Sequence, residues 1–258
     1  MKVDIRSEAA AYYDLNPNVP DDIPFYLRRI PSPEAAVLEL GCGTGRVTLP
    51  LARHCRYIHG IDLSPAMIAI CRDKLEAARI PRTSAQVEVG DITCFDLGRT
   101  FDLIIAPFRV LQNLESDANV QGLLRCVRQH LARGGTCILN TFNPNRDRET
   151  LRREWCSEEE NPAWEVSVPG GRVACFDTRP RMDADKLILY PELIYRRYQG
   201  DLLREETVLK LVMRCYYPED LVGLVTAHGF QVVGRWGGYA GEPYGEGPEL
   251  VVQLAERR

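Results

Sequence analysis

The stretch Val37-Leu38-Glu39-Leu40-Gly41-Cys42-Gly43-Thr44-Gly45 constrains this chain more than any other. An apolar run suited to a buried strand breaks into three glycines at alternate positions. The apolar pattern then resumes at Val47, Leu49, Leu51 and Ala52 with a helical texture. Glycine accepts positive φ and, having no side chain, lets a ligand lie against the main chain. The helix that follows aims its first free N–H groups at the same spot. A second apolar run, Tyr57-Ile58-His59-Gly60-Ile61, ends in Asp62. That is about 20 residues after the first glycine, where an acid takes up a ribose diol. Strand, glycine turn, helix and acid-terminated strand make a nucleoside-binding half.

The spacing narrows the choice of nucleoside. Dinucleotide sites use G-x-G-x-x-G under a pyrophosphate, whereas the glycines here run G-x-G-x-G. Glu39, two residues before the first glycine, would repel a pyrophosphate and suit an ammonium or sulfonium. No Gly-Lys-Ser/Thr follows, which excludes a phosphate-cradling P-loop.

The block from Leu38 to Arg46 resembles motif I of the class I S-adenosylmethionine-dependent methyltransferases. The resemblance continues through Gly60-Ile61-Asp62-Leu63-Ser64-Pro65-Ala66-Met67, Gly90-Asp91-Ile92, Phe101-Asp102-Leu103-Ile104-Ile105 and Leu131-Ala132-Arg133-Gly134-Gly135. It covers residues 34–142 and resumes over 218–256. It implies a doubly wound, seven-stranded, mostly parallel α/β sheet with helices on both faces, the last two strands forming an antiparallel hairpin. It also implies S-adenosyl-L-methionine as cofactor, held over Glu39, Gly41, Gly43 and Gly45. By the same resemblance Asp62 binds the ribose hydroxyls, Leu63 and Met67 bound the adenine, and Asp91 with the Ile92 backbone reads its amine edge. Tyr13 matches a tyrosine that folds over the cofactor from the N-terminal helix.

Each of these residues has a plainer reading beside it. Asp62 could cap the next helix, although Ser64 before Pro65 fills that role better. Asp91 could be a turn former and Tyr13 a core aromatic. Arg46 stands at a helix N-terminus, which disfavours a cation unless an anion offsets it. A ligand carboxylate is one such anion; a solvated surface arginine is the alternative.

Along the chain, residues 1–33 read as a helical start (Ser7 to Leu15) and a proline-broken cover segment. Strands near 36–40, 57–61, 86–90, 102–107 and 136–142 alternate with helices near 46–53, 65–79 and 118–132, the pattern of a parallel sheet covered on both faces. Residues 143–165 are polar, with a helix expected only at 147–155. Three β-rich runs, 171–183, 186–199 and 202–217, suggest an inserted antiparallel sheet. A helix at 218–228 and strands at 231–236 and 249–255 close the chain. The expected division is therefore a cover (1–33), a core (34–142 with 218–258) and a β-rich insertion (143–217) that serves as a lid or as a substrate or dimerisation subdomain.

Composition excludes little but tilts the balance. At 258 residues the chain can bury a full core, and its 26% charged residues are ordinary. A net charge of −4 supplies no electrostatic footprint for nucleic acid. Nine cysteines contain no C-x-x-C pair, so buried reduced thiols are expected. Residues 1–6 show no apolar leader, and no apolar run is long enough to span a membrane, so a cytoplasmic protein is expected.

The chemistry should lie at the carboxyl ends of the strands where strand order reverses. That collects the glycine loop, Asp62, Asp91 and the segment Ala106-Pro107-Phe108-Arg109-Val110-Leu111-Gln112-Asn113. This segment lacks both the Asp/Asn-Pro-Pro-aromatic motif of amino-directed DNA and protein-glutamine enzymes and the Pro-Cys of cytosine C5 enzymes. A small-molecule methyl acceptor is therefore expected, methylated at nitrogen or oxygen by a monomer or homodimer. Asn113 stands where relatives often show a histidine and cannot act as a base; a neutral amine needs little base help. His228 reads as a helix-end residue, and no spacing suggests a metal site. Arg109, among apolar neighbours, must reach solvent, pair with a carboxylate such as Glu39 or one from the insertion, or meet an acidic substrate. Arg109, Asn113 and Tyr13 are the substrate-positioning candidates. Tyr190, Tyr195, Tyr198, Trp155, Trp164 and Arg179 in or beside the insertion, and the loop 237–244, are candidate rims. The rival functions are a macromolecular methyltransferase, a nicotinamide-dependent oxidoreductase, and a domain that keeps the cofactor only as a structural ligand.

Overall fold

A seven-stranded sheet forms the centre of the protein, described here over residues 7–257 of a computed structural model. Two short helices, α1 (Ala10–Tyr13) and α2 (Ile23–Leu27), precede it. Strands β1 (Ala36–Leu40) and β2 (Tyr57–Asp62) flank the one-turn helix α3 (Thr48–Leu51). Then come α4 (Pro65–Ala77), β3 (Ala85–Val89), β4 (Phe101–Ala106), a 3-10 turn (Val110–Asn113), α5 (Asp117–His130) and β5 (Leu131–Phe142). After α6 (Arg148–Glu154), strands β6 (Ser157–Val168), β7 (Gly171–Asp183), β8 (Ile188–Gln199), β9 (Leu202–Lys210) and β10 (Met213–Arg214) build a second sheet. Helix α7 (Pro218–Ala227) leads back to β11 (Phe230–Trp236) and β12 (Glu249–Glu256).

The central order is β11-β12-β5-β4-β1-β2-β3, with β12 antiparallel to both its neighbours and the other pairs parallel. The sheet order reverses between β1 and β4, which opens a crevice at their carboxyl ends. Strand β1 is buried along its whole length because both faces are covered. Leu38, Leu40, Ile104 and Leu139 pack under α5 and α7 on one face, and Val37, Ile58, Leu103 and Ile138 under α2, α3 and α4 on the other.

Most elements fall where the sequence pattern puts them; α1 covers only part of the expected Ser7–Leu15 helix, α2 forms inside the proline-broken cover, and two further elements differ. Helix α3 is a single turn rather than the expected 46–53 run, since Pro50 has no N–H to extend the ladder. Strand β6 occupies a stretch read as polar and irregular. It is a Glu-rich edge strand paired only with β7; none of its residues is fully buried, and period-2 alternation marks only its second half, Trp164 to Val168. The expectation about an N-terminal leader concerns residues 1–6, outside the described residues. Among the described residues no helix is long and apolar enough to cross a membrane.

Several contacts tie the second sheet to the rest of the protein, two of them buried. Tyr195 of β8 stacks on Tyr12 of α1 with centroids 5.0 Å apart. Gln112 is fully buried; its amide donates to the Arg214 carbonyl at 2.8 Å and accepts from the Phe142 N–H at 2.8 Å. Gln112→Leu should leave both main-chain groups without their partner and destabilise the fold by about 2–4 kcal/mol, read from the urea midpoint. A midpoint unchanged from wild type would show that Gln112 is not the bridge.

Candidate active site

Asp62 organises the crevice. One carboxylate oxygen accepts the Gly43 N–H and the other the Ser64 N–H, each at 2.9 Å, tying the glycine loop to the end of β2. Ser64 itself caps α4, accepting from the Met67 N–H at 3.3 Å, so Asp62 is not the helix cap. Gly41 and Cys42 donate to the Ile61 carbonyl, which pulls the loop back over β2. Gly43 has φ +54°, and a Cβ there would meet no atom within 4 Å: the space above the loop is open. Leu63 is exposed at the mouth and Met67 is buried below it. Asp91 folds into a turn, its Oδ1 accepting from the Thr93 N–H and hydroxyl at 2.9 and 2.7 Å, and Ile92 packs partly into the core.

The cover reaches over this floor. Thr44 donates to Asp14 at 2.7 Å, and Lys74 of α4 pairs with the same carboxylate. Tyr13 meets Phe108 edge-on, with centroids 6.3 Å apart, so the two rings bridge the crevice from the cover to the end of β4. Asp22 is fully buried and holds the guanidinium fork of Arg46, one arm at 2.8 Å. Arg46 is therefore neither solvated nor reaching outward: the anion that offsets its position comes from the cover. Burial opposes the Arg46 charge, but the hydrogen bond and charge of Asp22 overcome it and raise its pKa.

Glu39 lies on the α3–α4 side of the sheet, 2% exposed. Thr48 donates to its Oε2 at 2.6 Å, and none of its hydrogen bonds is to a cation. Burial pushes its carboxyl up to about 8; the Thr48 hydrogen bond works in the opposite direction without cancelling the shift.

At the end of β4 the backbone takes a demanding path. Phe108 and Arg109 both have positive φ, +54° and +67°, which costs L-residues about 1–2 kcal/mol each. The Arg109 N–H donates to Asn140 Oδ1 at 3.0 Å, and Asn140 donates to Glu249 Oε2 at 2.9 Å. The Arg109 guanidinium closes the circuit on Glu249, with Nε at 3.2 Å. Its partner is thus neither Glu39 nor an insertion carboxylate but the first residue of β12. Asn113 donates back to the Arg109 carbonyl at 3.3 Å, bracing the same turn.

Asp14, Asp22, Asn140 and Glu249 were not foreseen from the sequence. Glu249 carried the clearest missed signal: a lone charge opening the apolar strand Glu249-Leu250-Val251-Val252. Of the candidate rim aromatics, Tyr195 and Trp164 pack together under the second sheet. Tyr190 donates to Glu115 at 2.6 Å, Arg172 sits over Tyr198, and Arg179 sits over Trp155. Gly238, Tyr239, Ala240 and Glu242 do line a cavity, opposite Pro20, Asp21 and Pro24.

Residues 37–135, spanning the glycine loop, Asp62, Asp91 and β4, match the family model of a methyltransferase domain. Over those residues the chain is similar to the class I S-adenosylmethionine-dependent methyltransferases. The carboxy-S-adenosyl-L-methionine synthase of Salmonella paratyphi C is 35% identical over 128 residues, 48% of this chain and 50% of that protein. The chain spans about half the length of the curated relatives it matches. Two solved structures share the fold over nearly their full length. The CcbJ methyltransferase from Streptomyces caelestis has a TM-score of 0.78 at 20% identity, covering 99% of this chain and 100% of that one. An S-adenosylmethionine-bound amino pentose methyltransferase from Micromonospora echinaspora has 0.72 at 21%, covering 99% of both chains.

The cradle of this methyltransferase domain fits its family's cofactor, S-adenosylmethionine. The open space at Gly43 admits a ligand against the main chain, and Glu39, whose charge the Asp22–Arg46 pair leaves unanswered when it ionises, suits a cation. Gly43→Val should weaken S-adenosylmethionine binding more than Asp62→Ala, since the branched side chain would fill that space. Asp62→Ala should cost about 1.5–3 kcal/mol of affinity. Titration calorimetry reads both; normal binding by the valine variant would remove the loop from the site. A second expectation concerns stability. Glu39 is protonated in the fold up to about pH 8 but ionises near 4.5 when unfolded, so its contribution to stability falls as pH rises between those values. Glu39→Gln should therefore gain on wild type by up to about 1.4 kcal/mol per pH unit across that window and by no more above it. Parallel unfolding curves from pH 5 to about 8 would contradict this.

Proposed function

We propose that this chain transfers a methyl group from S-adenosylmethionine to a nitrogen or oxygen of a small molecule. The observation that carries the reading is the open cradle at Gly43, walled by Asp62 and bridged by Tyr13 and Phe108. When bound, S-adenosylmethionine supplies an electrophilic methyl group on a sulfonium. The chain's own residues bind and orient. Each Asp62 oxygen accepts one main-chain N–H and keeps acceptor capacity for a ribose hydroxyl. Leu63 and Met67 frame the base, and Asp91 with Ile92 stands at its edge. Tyr13 and Phe108 exclude water from the reacting centre. The Phe108–Asn113 turn sets the wall against which a nucleophile is aligned, where orientation supplies most of the rate.

The acceptor side of this reading is the cavity between the cover and the β11–β12 loop, about 460 Å³ in volume. That size suits a metabolite. Glu249 pairs in register with Phe142 at the carboxyl end of β5, so the cavity opens on the same edge of the sheet as the crevice. With Glu249 paired to Arg109, Asp21 and Glu242 still outnumber the one lining cation, Arg28, which favours an amine-bearing acceptor over an anionic one. Tyr239 lines the same cavity, with Tyr26 and Glu249 beside it. An amine acceptor also accords with Asn113 in place of a base, and with His228, whose Nδ1 is held on the Leu224 carbonyl at 2.8 Å. The solved neighbour from Micromonospora echinaspora is an amino pentose methyltransferase, and an amino pentose carries an amine.

The test uses methyl-labelled S-adenosylmethionine and a metabolite extract, with mass spectrometry of the products. Labelled methyl in a small molecule, matched by the demethylated cofactor, is the expected result. Label appearing only in RNA or protein would favour the macromolecular rival, and a carboxylated cofactor would favour the synthase activity of the curated relatives. With the acceptor in hand, Ala240→Trp should lower turnover at least about tenfold by filling the cavity, with cofactor Kd within about a factor of two. Equal turnover would move the acceptor elsewhere.

A further inference from the structure

Glu39 is a buried acid without a counter-charge of its own. Every element around it can be checked for one. Helix α3 contributes Thr48, which donates a hydrogen bond but no charge. Helix α4 contributes the buried thiol of Cys71. The neighbouring strands present Gly60 and Ile105 in register with it, and neither is charged. The glycine loop contributes Arg46, the one cation near it, but both arms of that guanidinium are held by Asp22 from the cover. With Glu39 ionised, the three groups would sum to one uncompensated negative charge in a place with almost no solvent. A proton on Glu39 removes that charge, and burial does hold its carboxyl at about 8.

The same group stands two residues before the loop whose Gly43 opens onto free space. A cation arriving there would supply the missing counter-charge and favour the ionised carboxylate. We propose that Glu39 holds a proton while the cradle is empty and releases it to solvent when a cationic cofactor binds, so that cofactor capture is coupled to loss of one proton. This rests on the reading of the cradle as an S-adenosylmethionine site. No other bond changes: the O–H bond of the carboxyl breaks, and the proton passes to buffer. Affinity then rises with pH while the empty form is protonated and the bound form ionised, by up to about tenfold per pH unit, and levels off once Glu39 is ionised in both. A pyrophosphate-bearing dinucleotide, having the wrong charge, would draw no proton off.

Titration calorimetry of the full chain with S-adenosylmethionine, at about pH 7 in two buffers of different ionisation enthalpy, counts the protons directly. The ligand's own α-amino group titrates near 7.7–8.0, so the quantity read is wild type minus Glu39→Gln. The expected difference is about one proton released per cofactor bound, with wild-type Kd falling as pH rises from about 6 to 8 more steeply than that of the variant. Should Glu39→Gln fail to fold, the wild-type count at about pH 6, where the ligand amine is fully protonated, replaces it. An isotherm with no proton released at about pH 6, or equal counts for wild type and variant, overturns the proposal alone. No isotherm at any pH overturns the cofactor reading and the proposal with it.

Discussion

The site depends on a carboxylate clamping two stretches of main chain. Asp62 takes the N–H of Gly43 on one oxygen and that of Ser64 on the other. Charge-assisted bonds of this kind contribute about 1.5–3 kcal/mol each. The clamp does three things together. It stops the glycine loop from collapsing into the space above it, fixes where α4 begins, and leaves one buried acid facing the crevice at a defined height. A loop of three positive-φ glycines has many conformations available when unfolded, so without such a tie the open cradle would be one state among several.

Charges around the cradle are arranged so that almost none is loose. Arg46 answers to Asp22, Arg109 to Glu249, and Lys74 to Asp14. Buried pairs such as Asp22–Arg46 bring little net stability, since desolvation offsets most of the attraction, yet losing one partner is severe. What they secure is geometry. The first pins the cover to the glycine loop, the second holds two left-handed residues after β4, and the third ties α4 to the segment after α1. Against this background Glu39 is the exception, with a threonine in place of a cation.

Much of the fold was legible because its signals are local. The glycine loop, the acid ending β2, the Ser64-Pro65 helix start and the alternation of apolar runs lie within a few residues of what they specify. The failures share one cause, partners distant in sequence. Arg109 and Glu249 are 140 positions apart, and Arg46 and Asp22 are 24 apart across a proline-rich segment that shows no period. For each arginine the sequence left solvent and an anion both open, and only the tertiary fold showed the anion and which one it is. Strand β6 was missed for a related reason: an edge strand with charged residues on its exposed face is built to look unlike a strand.

The placement of α1 joins the two sheets. Its four residues lie between them, with Tyr12 stacked on Tyr195 of the second sheet and Tyr13 turned against Phe108 at the crevice. The next residue, Asp14, is bonded to Thr44 of the glycine loop. Three consecutive side chains thus touch the inserted sheet, the acceptor wall and the cofactor floor. A helix this short has no stability of its own, so its position is set by those contacts. A shift of the inserted sheet at Tyr195 would be felt at Tyr12, and Tyr13 and Asp14 follow it in the chain. The insertion therefore reaches the cradle through α1, without lining it.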